Sequence, residues 1–457
     1  MRATSSRLTV GSMRELSAIG VVCGLSAMYS TTLVCASSIL GTLSESKGGS
    51  AGVALDIVSS VFVLIALFVA GVVISNGVDT VIAGRRRELN LLRLVGASSK
   101  QLRGSLVNAV ARIAIVGSAV GVVIGVLATW ATRAVLVNRG TLDDLDYHVF
   151  PPLIVVGALA VIATAVGATL IGTRSALSSS AVRSTRVVRS WLRDVVGALG
   201  IAGGVVLLVG ACYLGEQGSV AGFFAAFFGA AVLGVGVMLS AGRIVPALVS
   251  AVGRLVGQSP SAVIARKNAV SDPQRTTRST IGLLIGVTLV TTIASGMQSL
   301  RESVSSWNDM TPDEVKEADQ ILSVMSSVLI AMIAISAVIA AVGFVSTMSL
   351  TVIGRTREIG MLRAMGFTAK QIRSMITLES LALTGTAVAS GLVLGIVLGA
   401  VGAQSLIGGM TEGFPIGLPL PALIAIIVGT VALVVVASLP PSRRAVAIAP
   451  VDALAVA

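Results

Sequence analysis

The stretch Gly84-Arg-Arg-Arg-Glu-Leu-Asn-Leu-Leu-Arg-Leu-Val-Gly96 occurs a second time, in altered form, as Gly354-Arg-Thr-Arg-Glu-Ile-Gly-Met-Leu-Arg-Ala-Met-Gly366. The two copies align without a gap, and we call this pairing at one constant offset the repeat alignment. The match continues beyond them, since the repeat alignment pairs Lys100, Gln101, Arg103, Gly121 and Gly125 with Lys370, Gln371, Arg373, Gly391 and Gly395. An internal repeat of this kind predicts a molecule built from two related halves.

The composition places both halves in a membrane. Of the 457 residues, 54% are hydrophobic and 12% are charged, and the mean hydropathy is +0.95. Soluble domains carry about a quarter charged residues. A chain this apolar cannot bury its hydrophobic surface in a water-facing globule and requires lipid as its solvent. The 50 glycines lie mostly inside apolar runs, which is typical of closely packed membrane helices.

Ten apolar runs are long enough to cross a bilayer, which takes about 20 residues of helix. Several of them are longer than a bilayer requires and predict tilted helices or helices that continue into water. The fold class is therefore all-α transmembrane, with about ten spans. The predicted spans are 16–41, 55–83, 105–137, 152–173, 195–214, 220–241, 279–300, 321–352, 375–405 and 420–440.

The distribution of charge supports this span count and fixes an orientation. With ten spans, 28 of the 33 basic residues fall on the side of the termini, and the five exceptions are Lys47, Arg133, Arg139, Arg301 and Lys316. Cytoplasmic loops of membrane proteins carry such an excess. The pattern predicts cytoplasmic termini and explains the net charge of +12 without a nucleic-acid partner. Acidic residues gather on the far side: Asp143, Asp144, Asp146, Glu302, Asp309, Asp313, Glu314, Glu317 and Asp319.

The repeat divides the chain into three parts. Residues 1–174 form a first four-span unit, residues 175–242 contribute two linking transmembrane helices, and residues 243–457 form a second four-span unit. Because the insertion holds an even number of spans, both copies keep the same orientation. This predicts parallel repeats related by a pseudo-twofold axis along the membrane normal.

The repeated stretch predicts a short cytoplasmic helix held between two long spans. Gly96 and Gly366 suit a helix C-terminus in the left-handed region. Ser98 and Thr368 suit the cap of the next helix, with a glutamine three positions later as in a capping box. A charged loop that only fixes topology is the alternative, but topology does not require the same register twice. The candidate docking residues are Arg85, Arg87, Glu88, Arg93, Lys100, Gln101, Arg103, Arg355, Arg357, Glu358, Arg363, Lys370, Gln371 and Arg373.

Several of these residues also carry a family resemblance. The string Arg-x-Arg-Glu-Ile-Gly-x-Leu-Arg-Ala-x-Gly at 355–366, Glu379, and the C-terminal Pro-Pro-Ser-Arg-Arg-Ala at 440–445 resemble the FtsX-like permease family. This family supplies membrane subunits to the mechanotransmission class of ABC transporters. The resemblance covers both four-span units and implies a cytoplasmic ABC ATPase dimer as partner, with ATP and Mg bound there and no cofactor on this chain. It also implies the bacterial cytoplasmic membrane, with lipids as neighbours.

The resemblance implies a permease subunit that couples ATP hydrolysis to export of an amphiphilic substrate such as a lipid, lipopeptide or antimicrobial compound. The chain has no Gly-x-x-x-x-Gly-Lys-Ser/Thr loop, so a separate chain would hydrolyse ATP. An ATP-driven signalling scaffold without cargo is the alternative. A secondary carrier is less favoured, because Asp56, Asp79 and Glu379 lie near predicted span ends, where water reaches them, rather than at mid-bilayer.

The remaining candidates have ordinary explanations. Cys23, Cys35 and Cys212 lie in apolar runs without a metal-binding spacing, and His148 is the one histidine, so no metal or catalytic site is expected. Two rows of glycine at a spacing of four predict close helix packing, either ordinary or as a seam between the halves that opens and closes. The rows are Gly117, Gly121 and Gly125, and Gly391, Gly395 and Gly399.

Overall fold

The computed structural model describes residues 13–47, 49–138, 151–177, 188–253, 267, 273–305, 322, 325–326, 333, 335–338, 356–410, 413–414 and 416–432. Regular structure in these residues is helical. The helices are α1 (Met13–Lys47), α2 (Gly49–Gly84), α3 (Arg86–Leu94), α4 (Ser99–Asn138), α5 (Leu153–Leu177), α6 (Val188–Glu216), α7 (Ala221–Gly253), α8 (Pro273–Ser305), α9 (Thr356–Ala364), α10 (Ala369–Ile407) and α11 (Leu420–Ala432). A 3₁₀ turn, Gly408–Met410, follows α10.

Eight of these helices are long and apolar enough to cross a membrane, namely α1, α2, α4, α5, α6, α7, α8 and α10. They correspond to predicted spans 1–7 and 9. Helix α11 is apolar but shorter, and it covers the described part of the span predicted at 420–440. The span predicted at 321–352 lies mostly outside the described residues. The protein is a multi-pass, all-α membrane protein.

The described helices form two compact units, of which the first holds α1–α5 and the second α6–α11. The three domain ranges expected from the sequence, 1–174, 175–242 and 243–457, stay predictions.

Helix α1 is the central helix of the first unit. Of the apolar stretch with which α1 would cross the membrane, 67% is buried, against 28–44% for the same stretch of its neighbours α2, α4 and α5. Small side chains permit this, because Cys23 and Ala27 pack against α2, α4 and α5 around the buried Ile74, Ala114 and Val161. A Cβ atom on Gly125 of α4 would approach the carbonyl oxygen of Met28 to 3.0 Å. The close α1–α4 packing therefore depends on glycine.

Helix α8 has the same central place in the second unit, and 56% of its apolar, membrane-crossing stretch is buried. A Cβ atom on Gly399 of α10 would lie 2.7 Å from the backbone nitrogen of Gly296 and 2.7 Å from the carbonyl oxygen of Thr292. Each predicted glycine row thus faces a helix of its own unit. Ordinary packing accounts for the rows, and the expectation of a seam between the halves is not needed to explain them.

The linking helices α6 and α7 form a hairpin that packs on α10 and α8. Its turn is pressed against the end of α10, where a Cβ atom on Gly222 would lie 3.0 Å from the carbonyl oxygen of Ser405. The Gln404 amide nitrogen donates a hydrogen bond of 3.3 Å to Glu216. Near the other end of the hairpin, Arg243 forms a 3.0 Å ion pair with Asp194. The hairpin is therefore attached to α10 at its turn, and an ion pair joins its two helices near the other end.

Candidate functional site: two matching elbows

Each repeat contains an elbow in which a short helix, α3 or α9, precedes a long one, α4 or α10. We define the first elbow as residues 85–103, which hold α3 and the start of α4, and the second as residues 355–373, which hold α9 and the start of α10. In the first elbow, α2 ends at Gly84 and the Arg85 amide donates to the Ile82 carbonyl at 3.2 Å. The chain then turns directly into α3.

Both short helices end in the same glycine motif. In the first elbow, the Gly96 amide donates to the Arg93 carbonyl and the Ala97 amide donates to the Leu92 carbonyl, each at 3.0 Å. This pair of bonds is the Schellman motif, which places a left-handed residue after the helix. Gly96 has a φ of 101°, a value that a residue with a Cβ atom rarely adopts.

The second elbow repeats these bonds at the positions that the repeat alignment predicts. The Gly366 amide donates to the Arg363 carbonyl at 3.1 Å, and the Phe367 amide donates to the Leu362 carbonyl at 3.0 Å. Gly366 has a φ of 95°. The prediction that both glycines adopt the left-handed region is confirmed.

A capping box starts the long helix immediately after each glycine motif. The Gln371 amide donates to the Thr368 hydroxyl at 3.3 Å, and the Thr368 amide donates to the Gln371 side-chain oxygen at 2.9 Å. Ser98 and Gln101 form the same pair, with both distances at 3.2 Å. These bonds satisfy backbone groups that would otherwise lack partners. Gln101 and Gln371 therefore already have a structural role inside the elbows.

One face of α3 is fastened to α4 by apolar contacts. Leu89 of α3 is buried together with Leu102 and Leu106 of α4, and Leu92 and Ala97 pack against this group. In the second unit, Ile372 and Ile376 of α10 take the positions of Leu102 and Leu106 and are also buried. The short helix of the first elbow is thus attached to the following span by side chains as well as by backbone.

The opposite face of each short helix leaves large apolar side chains in the open. In the first elbow, Leu94 is 80% exposed and Val95 is 87% exposed, with Leu91 beside them at 54%. In the second elbow, Met361 is 51% exposed and Met365 is 65% exposed. The repeat alignment pairs Leu91 with Met361 and Val95 with Met365. Apolar side chains clustered on an otherwise polar surface indicate an interaction site.

The docking residues that the sequence predicts are exposed to different extents. Lys100, Gln101, Lys370, Gln371 and Arg373 are exposed, Arg93, Arg103 and Arg363 are half-buried, and Arg85 is 6% exposed. The side chains of Arg87, Glu88, Arg357 and Glu358, and the whole of Arg355, lie outside the described residues. Among the described candidates, Arg85 is buried and unsuited to meet a partner directly.

The environment of Glu379 differs from the one expected from the sequence. The sequence predicted water at this position, yet Glu379 is 3% exposed and lies in the third turn of α10. It packs on the same helix face as Ile372 and Met375. The first repeat has Ala109 at the equivalent position, so this buried carboxyl group has no counterpart there.

A helical membrane protein with two matching elbows, each leading into a long span, has the architecture of a two-repeat permease. The model of the FtsX-like permease C-terminal family matches the chain twice, at residues 60–181 and 330–450, which together make up just over half of its length. Each match contains one elbow. The chain therefore belongs to the FtsX-like permease family.

One curated relative is named as a transport protein. The macrolide export ATP-binding/permease protein MacB of Nitrobacter winogradskyi is 35% identical to the chain over 144 residues. The similarity covers 31% of this chain and 20% of that protein. The chain thus corresponds to about a fifth of the length of this relative.

Proposed function

We propose that the chain is the membrane-spanning permease subunit of an ABC transporter, driven by a separate cytoplasmic ATPase dimer that binds both elbows. The observation that carries this proposal is the duplicated elbow, whose cap geometry and exposed apolar positions match at one fixed offset. A single loop could acquire such a surface by chance. Two loops that keep the same bonds and the same exposed positions fit a partner that itself has two equivalent sites.

The apolar patches would bind the ATPase, and the exposed basic side chains would orient it. Leu94 and Val95 project from α3 as a compact apolar pair, and burying each would contribute about 1.5–3 kcal/mol. Lys100, Lys370 and Arg373 are exposed at the starts of the long helices and would favour an acidic partner surface. ATP and Mg would be bound by the partner, because this chain lacks a phosphate-binding loop.

Movement of the ATPase would reach the spans through the rigid joint of each elbow. In the first elbow, a push on α3 is passed to α4 because Leu89, Leu102 and Leu106 form one buried group. The Schellman motif and the capping box leave only Ala97 and Ser98 between the glycine and the start of the next helix. Such a joint has little freedom to absorb the motion.

The proposed cargo is an amphiphilic molecule, a lipid, lipopeptide or hydrophobic antibiotic, moved outward across a bacterial cytoplasmic membrane. The name of the relative, a macrolide export protein, supports outward transport of a largely apolar compound. The excess of basic residues on the elbow side supports cytoplasmic elbows and cytoplasmic termini.

Co-purification and ATPase assays test this proposal. The chain is affinity-purified from bacterial membranes, an ABC ATPase that co-purifies with it is identified by mass spectrometry, and hydrolysis by the complex is measured in lipid nanodiscs. Leu94→Asp should weaken ATPase binding by about 10–100-fold, because it removes an apolar contact of about 1.5–3 kcal/mol. Asn90→Asp, which adds the same charge to an exposed position of α3 without removing an apolar group, is the matched control. Arg93→Glu and Arg363→Glu should uncouple hydrolysis from transport.

The outcomes separate the three functions that the sequence left open. A bound ATPase whose hydrolysis rises with cargo supports export. A bound ATPase that ignores every amphiphile tested supports a signalling scaffold. Transport by the isolated chain without any ATPase would refute the proposal and favour a secondary carrier.

A further inference from the structure

The segment that leads into α11 exposes an apolar side chain at every second position. We call residues 413–420 the apolar segment, of which Leu420 is the first residue of α11; residue 415 lies outside the described residues. Gly417 and Pro419 face the protein and are buried. The alternate positions are 48–61% exposed, and they are Phe414, Ile416, Leu418 and Leu420.

The buried side of the apolar segment is fixed to α8 by two serines. The Ser295 hydroxyl donates to the Gly417 carbonyl at 2.8 Å, and the Gly417 amide donates to the Ser299 hydroxyl at 2.8 Å. Both serines are fully buried. A Cβ atom on Gly417 would lie 2.6 Å from the carbonyl carbon of Gln298, so only glycine lets the backbone lie flat on α8. This anchor fixes which residues face outward.

The backbone at the α11 end of the apolar segment has few amide groups that require water. An unsatisfied amide in hydrocarbon costs several kcal/mol, on the order of 2–7. Pro419 and Pro421 have no amide hydrogen, and the Gly417 amide is bonded to Ser299. The Leu420 amide donates to the Leu418 carbonyl at 2.8 Å. From Gly417 to Pro421, four of the five backbone nitrogens are therefore bonded or carry no hydrogen, which lowers the cost of placing this part of the chain in hydrocarbon.

The exposed row continues into a surface that faces lipid. Helix α11 carries an apolar stripe whose residues are 44–61% exposed. The stripe begins at Leu420, where the exposed row of the apolar segment ends. The stripe consists of Leu420, Ile424, Ile427, Val428 and Val431. In a multi-pass membrane protein, such a stripe on an apolar helix faces acyl chains. The apolar segment also lies on the membrane face opposite the second elbow, because α10 separates the two.

We propose that the apolar segment is inserted into the bilayer leaflet opposite the elbows, where Phe414, Ile416 and Leu418 contact lipid acyl chains. The occupant of this surface is lipid because the row is continuous with the lipid-facing stripe of α11. The proposal requires only that the chain spans the membrane, so it does not depend on the ATPase or on the cargo of the proposed function.

The first repeat supplies an internal comparison. The repeat alignment holds through this connection, since it pairs Pro151 with Pro421. At the positions of Phe414 and Ile416, the first repeat carries Asp144 and Asp146. Carboxylates are costly in hydrocarbon, so this connection of the first repeat is expected in water. The two repeats would therefore meet the same membrane face differently, one through lipid and the other through solvent.

Fluorescence quenching tests this inference on the full chain in phosphatidylcholine–phosphatidylglycerol vesicles. Single cysteines replace Ile416 or Leu418 in a chain whose three native cysteines have been changed to alanine, and each receives a bimane label. The matched controls are Asp144→Cys and Asp146→Cys. Doxyl-labelled lipid should quench the labels at 416 and 418, and aqueous iodide should not. The labels at 144 and 146 should show the reverse, with red-shifted emission.

Two results would overturn the inference. Iodide quenching at 416 and 418 would place the apolar segment in water. Shielding of these labels from both quenchers would show that protein covers them, either another part of this chain or a second copy. A single elution peak on size-exclusion chromatography and an unchanged helical circular dichroism spectrum verify that each labelled chain is folded. ATPase activity has no part in the measurement, so failure here and failure of the docking proposal are distinguishable.

Discussion

Replacing Gly96 with alanine isolates the contribution of one backbone conformation to the rigidity of the first elbow. Gly96 has a φ of 101°, and a Cβ atom added there meets nothing within 4 Å. The substitution therefore creates no clash, and its whole cost comes from holding a residue with a Cβ atom in the left-handed region, about 1–2 kcal/mol. This cost should appear as more frequent opening of the turn between α3 and α4.

Hydrogen exchange measures that opening directly. The amides of residues 96 and 97 donate the two bonds of the Schellman motif, so they exchange when the motif opens. A loss of about 1–2 kcal/mol corresponds to roughly 5–30-fold faster exchange of these amides. The detergent-solubilised protein is suitable for this measurement by mass spectrometry of peptides that cover residues 90–100.

Gly104→Ala is the matched control for this experiment. Gly104 also has open space around its Cβ position, but it lies in α4 with ordinary helical φ. Alanine there should stabilise the helix by about 0.5–1 kcal/mol and slow local exchange. If Gly96→Ala left exchange at residues 96 and 97 unchanged, or if both substitutions acted in the same direction, the elbow would not depend on the left-handed glycine.

Three further substitutions test the packing and caps of the second unit. Gly399→Ala should lower the stability by about 1–3 kcal/mol, and with it the apparent melting temperature, because the added Cβ atom meets the α8 backbone. Gly402→Ala should leave the melting temperature unchanged, because a Cβ atom there has no neighbour within 4 Å. Arg243→Gln should lower the stability by about 1–3 kcal/mol, because it leaves the buried Asp194 carboxylate without its ion pair. The double variant Asp194→Asn/Arg243→Gln should recover part of this loss. Equal melting temperatures for the single and the double variant would contradict this prediction. Thr368→Ala should cost about 1 kcal/mol at the start of α10, measured as faster exchange of the Gln371 amide, whereas the exposed Ser374→Ala should leave that amide unchanged.

The elements that the sequence predicted well are those that depend on local chemistry. Long apolar runs define spans because lipid requires continuous helix, and eight described helices correspond to predicted spans. Gly96 and Ser98 form their motifs with close neighbours in the chain, so a short pattern is sufficient to recognise them. The repeat fixed their register, since a chance pattern would not recur in the second half with the same spacing.

The exposed apolar patches were missed because α3 is apolar on more than one side. Leu89, Leu91, Leu92, Leu94 and Val95 all look alike in the sequence. Only the packing against Leu102 and Leu106 decides that Leu89 is covered while Leu94 and Val95 stay open. The available signal was an excess of apolar residues over what one buried face of so short a helix requires.

Contacts between distant parts of the chain were also beyond the reach of the pattern. Ser299 and Gly417 are far apart in the chain, and neither belongs to a recognisable motif. The packing of α6 and α7 on α10 could not be predicted from the repeat either, because the hairpin is an insertion with no counterpart to align. Glu379 was assigned to water from its distance to the predicted span end, whereas its burial depends on how α10 packs in the second unit.

The two repeats are alike in the elbows, where a partner would bind, and differ in the parts that meet other surroundings. Cap geometry, the paired arginines Arg93 and Arg363, and the exposed apolar positions of the elbows are kept in both copies. Away from the elbows the copies diverge, since the second repeat packs against the linking hairpin and carries an apolar connection where the first has Asp144 and Asp146. A two-fold partner would act on both elbows alike and would preserve their shared geometry. On the proposals made above, the opposite membrane face would meet lipid and cargo, which have no two-fold symmetry, so nothing would keep the two connections alike there.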